Sequence, residues 1–133
     1  MFRLLMFSLA LLLCLASVGQ AANLDQTDEE LAARIVGEWF AQDKNGSTTY
    51  TFNADGTWTE TGVYYFKEGS RDVTVRGRWY VHNGFFYHSI IDSNVPGKIK
   101  TGKFEKIKIK YVTDDEFFLK LRPGKHHPHL DLD

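Results

Sequence analysis

Apolar and polar residues alternate along most of the chain after residue 36, and this period of two predicts β-strands with one buried face. The alternation is most regular over residues 72–82, where every second residue is Val, Gly or Trp. The dipeptide Asn83-Gly84 follows and predicts a two-residue hairpin turn. Such a turn fixes the register, so we expect these facing pairs: His82 and Phe85, Val81 and Phe86, Trp79 and His88, and Gly77 and Ile90.

A second hairpin is predicted by Asn53-Ala54-Asp55-Gly56, which lies between two further alternating segments. Asn and Asp bond their own backbone in turns, and Gly accepts the positive φ that the last turn position requires. The turn places Phe52 opposite Trp58 on one face. Glu60 falls on the same face, so the pattern predicts a carboxylate among aromatic rings.

One short helix is predicted before the strands. Thr27 can cap a helix and Glu30 can bond back to it, while the acidic first turn suits the positive end of the helix dipole. Leu31 and Ile35 then share one face. We expect a helix over residues 28–35, followed by the first strand at Gly37.

The remaining segments complete an all-β pattern. Residues 98–113 are expected to form one strand, with a bulge between Phe104 and Ile107, and residues 116–122 the last strand. The chain therefore predicts seven or eight short strands with hairpin-length links and one short N-terminal helix. We expect an antiparallel up-and-down barrel, closed or flattened, with a sandwich as the alternative.

The first 21 residues have the pattern of a secretory signal peptide. Arg3 precedes an apolar run that is short for a membrane span, and small residues end at Ala21. We expect cleavage after Ala21, a β domain over residues 22–124, a flexible His- and Asp-rich tail over 125–133, and no membrane span after cleavage. The protein is then exported, to the periplasm or the medium.

Composition narrows the classes of function. The only cysteine, Cys14, lies in the expected leader, so packing alone must hold the mature domain together. The formal net charge is −1, and this balance argues against general nucleic-acid binding, which needs a strongly basic face.

Several short motifs stand out: Gly37-Glu38-Trp39 after the helix, Thr113-Asp114 before the late strand, and the segment Phe52–Trp58 followed by Gly77-Arg78-Trp79. They resemble motifs of the lipocalin-like (calycin-type) superfamily, in its small bacterial exported form. The resemblance implies a barrel with a cavity and a basic residue packed over the first-strand Trp, for which Lys120 and Arg122 are the candidates. The chain departs from the pattern in being short and in lacking the usual disulfide.

The predicted inner face is the candidate ligand site. Its aromatic rings either line a pocket for a small apolar or amphipathic ligand, oriented by Glu60 and His88, or simply fill a small barrel. A buried Glu60 or His88 needs a partner, which is the other of the two, a water or a ligand. The candidate ligand-binding residues are Trp39, Tyr50, Trp58, Glu60, Tyr64, Trp79, Phe86 and His88.

No catalytic arrangement is evident in the sequence. Ser89 adjoins His88, but neighbours on a strand point to opposite faces and cannot form a nucleophile–base pair. We therefore expect neither enzyme activity nor a cofactor.

Two outward-facing features are candidates for contacts with other molecules. An apolar strip indicates a protein partner or homodimer interface, unless the helix or a loop covers it. A basic strip either meets an anionic surface such as lipid head groups or is a solvated face that discourages edge pairing. The apolar strip comprises Tyr80, Phe85, Tyr87 and Ile91, and the basic strip Lys98, Lys100, Lys103, Lys106, Lys108 and Lys110.

The tail offers His126, His127 and His129 as candidate ligands of a divalent transition metal. The alternative is a flexible tail without a metal, and we expect no structural metal site because cysteine is absent.

Two hypotheses for function follow. The first is an exported lipocalin-like module that binds a small apolar ligand in the barrel or a peptide at its mouth. The second is an interaction or self-associating module with a filled barrel.

Overall fold

A computed structural model describes residues 3–8 and 26–120, and its strands form a closed barrel in sequence order from β1 to β8. Each strand pairs with its neighbours in the sequence, and β8 meets β1. The elements are β1 Leu4–Ser8, α1 Asp28–Ile35, β2 Gly37–Asp43, β3 Gly46–Phe52, β4 Thr57–Phe66, β5 Gly69–His82, β6 Phe85–Ser93, β7 Glu105–Val112 and β8 Glu116–Lys120.

The helix α1 begins and ends where the sequence predicts. The Thr27 hydroxyl accepts a hydrogen bond from the Glu30 backbone N–H at 3.2 Å, and the Glu30 carboxylate accepts one from the Thr27 N–H at 3.3 Å. This capping box satisfies two backbone donors of the first turn. Leu31 and Ile35 are buried and hold the helix against the barrel.

Both predicted hairpins are confirmed. The turn between β3 and β4 pairs Phe52 with Trp58, and Gly56 takes the positive φ of 87° that its bulge requires. The turn between β5 and β6 has positive φ at Asn83 and Gly84, as a two-residue hairpin of this twist needs. The four facing pairs expected from this turn are those observed.

The barrel is closed by a parallel seam, which corrects the expectation of a wholly antiparallel barrel. Strands β2 to β8 are joined by antiparallel pairings, so the first and last of these seven strands run in the same direction. An odd number of alternating strands must meet in this way. The strand β1 lies between β2 and β8 and is parallel to both.

The strand β1 consists of residues 4–8, which lie within the predicted leader and form part of the barrel in the full chain. Cleavage after Ala21 stays a prediction.

The segment before β7 differs from its predicted form. Residues 98–104 do not form a strand, because the backbone N–H groups of Lys98 and Ile99 both bond to the Val95 carbonyl and turn the chain. Val95 and Ile99 are buried by this turn. The irregularity in the β7–β8 pairing lies between Ile109 and Tyr111, not at the predicted bulge.

An aromatic cluster fills the barrel around Phe52. The centroid of its ring lies 5.5 Å from that of Phe86, 5.6 Å from that of Trp79 and 6.2 Å from that of Phe117. Edge-to-face pairs of this kind add stability beyond the area they bury. Among residues 3–8 and 26–120, no helix is long and apolar enough to span a membrane.

Candidate functional site

The predicted ligand-binding residues all lie inside the barrel. Each of the eight is at most 6% exposed, so the alternation correctly identified the inner face. The structure brings four of them, with three further apolar residues, around one internal space. This space is lined by Tyr50, Trp58, Phe86 and His88 together with Leu5, Phe52 and Leu119.

The internal space is very small. Its volume is about 10 Å³, roughly that needed by a single water, whereas small-molecule pockets usually measure several hundred Å³. The described side chains around this space therefore leave almost no room between them. One of these, Leu5, comes from β1.

The three tryptophans have their polar atoms engaged by the backbone. The indole N–H of Trp39 donates to the Ile35 carbonyl at 2.6 Å, and that of Trp58 donates to the Arg78 carbonyl at 3.0 Å. The indole N–H of Trp79 donates to the Asn53 carbonyl, in the turn between β3 and β4, at 3.0 Å. These indoles tie elements of the barrel together, and their N–H groups are not directed at a ligand.

A buried polar cluster lies beside the aromatic core. Glu60 is fully buried and accepts a hydrogen bond from the Tyr64 hydroxyl, while Tyr50 faces Glu60 across the β3–β4 ladder. Burial, reinforced by the Glu60 carboxylate, raises the pKa of the Tyr50 hydroxyl well above its usual value. Burial, reinforced by the Glu60 carboxylate, likewise raises the pKa of Tyr64 well above its usual value. Both phenols therefore remain protonated donors.

His88, the second predicted polar group, is packed between aromatic rings. Its ring centroid lies 5.6 Å from that of Phe86 in a stacked arrangement and 6.0 Å from that of Trp58 at an edge. His88 and Tyr50 are the lining residues of the internal space that carry polar side-chain atoms beside the Trp58 indole. Apart from these few polar groups the lining of the internal space is apolar, so this space suits one apolar side chain better than a charged group.

Between β2 and β8 lies a position, here called the strand slot, that β1 fills. The Leu4 N–H donates to the Asp115 carbonyl at 2.7 Å, and the Phe40 N–H donates to the Arg3 carbonyl at 2.6 Å. The β8 register pairs Leu5 with Phe117. Leu5 is 2% exposed and closes the internal space from the side of the slot.

Arg3 occupies a cation site at one end of the strand slot. Its guanidinium carbon lies 4.2 Å from the Trp39 ring centroid, and its nitrogens donate to the carbonyls of Val36 at 3.2 Å and Arg34 at 2.6 Å. These carbonyls belong to the C-terminal end of α1, where the helix dipole favours positive charge. The lipocalin-like resemblance implied a cation over this Trp from Lys120 or Arg122, but here Arg3 supplies it. The Lys120 side chain and Arg122 lie outside what the structure describes.

An open groove of about 660 Å³ adjoins this cation site. The ion pair between Arg34 and Asp114, at 3.0 Å, forms part of its wall. Its lining residues are Arg3, Gln26, Glu30, Ala33, Arg34, Val36 and Asp114.

The predicted outer strip is present, and it includes a residue that the sequence reasoning missed. Tyr80 stacks on Tyr87 with 4.6 Å between ring centroids, and Phe104 packs on Tyr80 at 5.1 Å. Tyr80, Ile91 and Phe104 are exposed, whereas Phe85 and Tyr87 are half-buried. The sequence predicts Phe104 in a lysine-rich strand, and the only signal for its role there is that it is an aromatic residue among lysines.

The sequence also gives no role to Arg3 and Leu5, because both lie in the predicted leader. The number of strands could have indicated one, since in a barrel of seven alternating strands the first and the last run in the same direction and leave a parallel seam. For metals, no group of three or more His, Cys, Asp or Glu side chains is suitably placed among residues 3–8 and 26–120. The tail histidines lie beyond these ranges.

Comparisons with protein-family models, with curated proteins and with solved structures found no match. The lipocalin-like resemblance therefore stays a prediction from the motifs. The function has to be argued from the geometry of this chain alone.

Proposed function

We propose that this protein is an exported, lipocalin-like binding module without catalytic activity, whose ligand is an extended peptide that adds as a strand between β2 and β8. The observation that carries the proposal is the seating of residues 4–8 in the strand slot. These residues belong to the predicted leader. Its removal during export would leave the slot without its occupant.

An emptied slot does not close simply by pairing β2 with β8. With β1 between them, the two strands lie two interstrand spacings apart, roughly 9.6 Å. Without β1, backbone groups such as the Asp115 carbonyl lose the hydrogen bond that β1 donates and present an edge. Extended peptides bind such edges by adding a strand, and the main-chain hydrogen bonds provide much of the affinity.

The small size of the internal space favours a peptide over a small molecule. At about 10 Å³, this space admits no small-molecule ligand. Withdrawal of Leu5 would enlarge this space by about one aliphatic side chain. A peptide that places one apolar side chain there would restore the packing of Phe52 and Leu119.

The strand slot also specifies a basic residue. Arg3 and Leu5 are separated by one residue and point to the same side of β1. The preferred peptide therefore reads basic–any–apolar, with the cation over Trp39 and the apolar side chain in the internal space. The groove beside the cation site, which contains the carboxylates of Glu30 and Asp114, would receive residues that precede the basic position.

The test uses protein expressed from the full sequence in an exporting host. Its intact mass shows first whether residues 1–21 have been removed, as we expect. The processed protein is then titrated with a fluorescently labelled peptide of residues 1–8, and binding is followed by anisotropy. A scrambled peptide of the same composition is the matched control.

We expect saturable binding of the native peptide and at least about tenfold weaker binding of the scrambled one, because register places a single residue in the internal space. A chain that retains its leader should not bind the labelled peptide, since the slot is filled. Equal binding of native and scrambled peptides, or no binding to the processed chain, would contradict the proposal. Native mass spectrometry of protein from its own source would then identify any natural occupant.

A further inference from the structure

The outer surface of β5, β6 and β7 carries a second feature that the strand slot does not involve. Aromatic rings lie at its centre and basic side chains lie beside them. We infer that this surface docks onto an anionic lipid surface. The residues that form it, here called the aromatic–lysine face, are Tyr80, Phe85, Tyr87, Phe104, Lys106 and Lys108.

The aromatic part is fixed by packing between neighbouring strands. Tyr80 and Tyr87 are directly opposite in the β5–β6 ladder, and their rings stack almost in parallel. Phe104 approaches Tyr80 edge-on from the loop before β7. Tyr80 is 43% exposed and Phe104 is 44% exposed, so this ordered cluster has an uncovered side. Tyrosine suits a membrane interface because its ring is apolar and its hydroxyl is polar.

The basic part lies in register with the aromatic part. Lys106 pairs with Tyr87 and Lys108 pairs with Phe85 in the β6–β7 ladder. The Lys106 ammonium lies 4.2 Å from the Phe85 ring centroid, and both lysines are exposed. Their charges are thus presented beside the rings and on the same side of the sheet.

The acidic residues of β6 and β7 do not cancel this charge. Asp92 forms a two-point ion pair with Arg76 and is balanced by it. Glu105 lies on the side of β7 that it shares with the buried Ile107, facing away from the two lysines. The aromatic–lysine face therefore has a net positive charge.

This charge argues for a lipid surface and against a second copy of the chain. A two-fold dimer through this face would place the same patch against itself and bring lysines close to lysines. An anionic bilayer instead offers phosphates to Lys106 and Lys108 and an interfacial layer to the aromatic rings. The inference does not depend on the peptide-binding proposal.

The test measures co-sedimentation of the protein with lipid vesicles. One set of vesicles contains phosphatidylcholine alone, and the other also contains phosphatidylglycerol. Each lysine near an anionic surface strengthens binding about fivefold, so exchanging both Lys106 and Lys108 for Gln should weaken binding roughly 30-fold. Exchanging Lys44, in the exposed turn between β2 and β3, for Gln is the control for the loss of one positive charge elsewhere, and it should leave binding nearly unchanged.

The aromatic contribution is tested in the same way. Tyr80→Ser combined with Phe104→Ser should weaken binding at least about tenfold, whereas Tyr65→Ser, at an exposed tyrosine of β4, should not. All variants share one N-terminus, so any contribution of the leader cancels. Circular dichroism verifies their folding. If the serine variant fails to fold, the lysine variant still tests the inference, because Lys106 and Lys108 are exposed and their exchange should not disturb folding.

Binding that requires phosphatidylglycerol, weakens with added salt and falls in the lysine variant supports the inference. Equal binding to both kinds of vesicle would overturn it, as would binding that the lysine variant leaves unchanged. A concentration-dependent dimer that Tyr80→Ser abolishes would assign this face to a second copy instead, and would also overturn it.

Discussion

The strand slot makes a quantitative prediction about peptide sequence. Leu5 is 2% exposed, and full burial of a leucine side chain contributes about 1.5–3 kcal/mol. A peptide of residues 1–8 with Leu5→Asp loses this gain and also has to bury a carboxylate next to apolar rings. We expect it to bind at least about 3 kcal/mol more weakly, which is a factor of more than about 100.

The basic position should contribute less, but measurably. A partly buried cation over an aromatic ring contributes about 1–2 kcal/mol, and a cation at a helix C terminus about 0.3–1 kcal/mol. Arg3→Gln removes the charge from Trp39 and from the α1 carbonyls. The expected loss is about 2 kcal/mol, or roughly 30-fold in affinity.

The assay is competition against the labelled native peptide, followed by anisotropy with the processed protein. Leu4→Asp is the matched control, because Leu4 is only half-buried and neighbouring residues point to opposite sides of a strand. Its effect should be clearly smaller than that of Leu5→Asp. If both aspartate peptides bind equally, the peptide is held by general hydrophobicity, and the reasoning from the slot is refuted.

Three further predictions concern the barrel itself. Tyr64→Phe removes a donor from the buried Glu60 and should lower the free energy of unfolding by about 2–3 kcal/mol in urea; an unchanged midpoint would contradict the role of this bond. The pKa values of Tyr50 and Tyr64 are raised in the folded state, so their stabilising effect is complete below the unfolded pKa of about 10 and is lost as the pH rises above it. Stability should fall there by about 1.4 kcal/mol per pH unit for each tyrosine, and Tyr50→Phe should reduce this slope. A Cβ added at Gly77 would overlap an indole and a carbonyl oxygen, so Gly77→Ala should lower the melting temperature strongly while Gly97→Ala, in open space, should not.

Much of the fold was predictable because its determinants are local. The bounds of α1 follow from a capping box and two apolar residues, Leu31 and Ile35, all within nine positions of the chain. The register of β5 with β6 follows from the turn at Asn83-Gly84 as far as Gly77, beyond which the pairing shifts by one residue. The inner face follows from the alternation within each strand, and for that reason the candidate ligand-binding residues were all found buried.

The rest depends on contacts between distant parts of the chain. The pairing of β1 with β8 joins Leu5 to Phe117, and no local pattern indicates it. The composition of the first residues is typical of a leader and therefore does not predict a strand of the barrel. The segment after Val95 also departs from the predicted strand, because its backbone bonds to the Val95 carbonyl and buries Ile99 in a turn.

The sequence by itself determined the strands, their turns and which side chains face inward, since periodicity and turn chemistry act over a few residues. Only the tertiary structure decided how the barrel closes and how much space it encloses. Closure depends on the direction in which β2 and β8 meet, and the enclosed space depends on the summed volumes of Leu5, Phe52 and their neighbours. Both are properties of the assembled barrel, because they arise only when residues far apart in the chain are brought together.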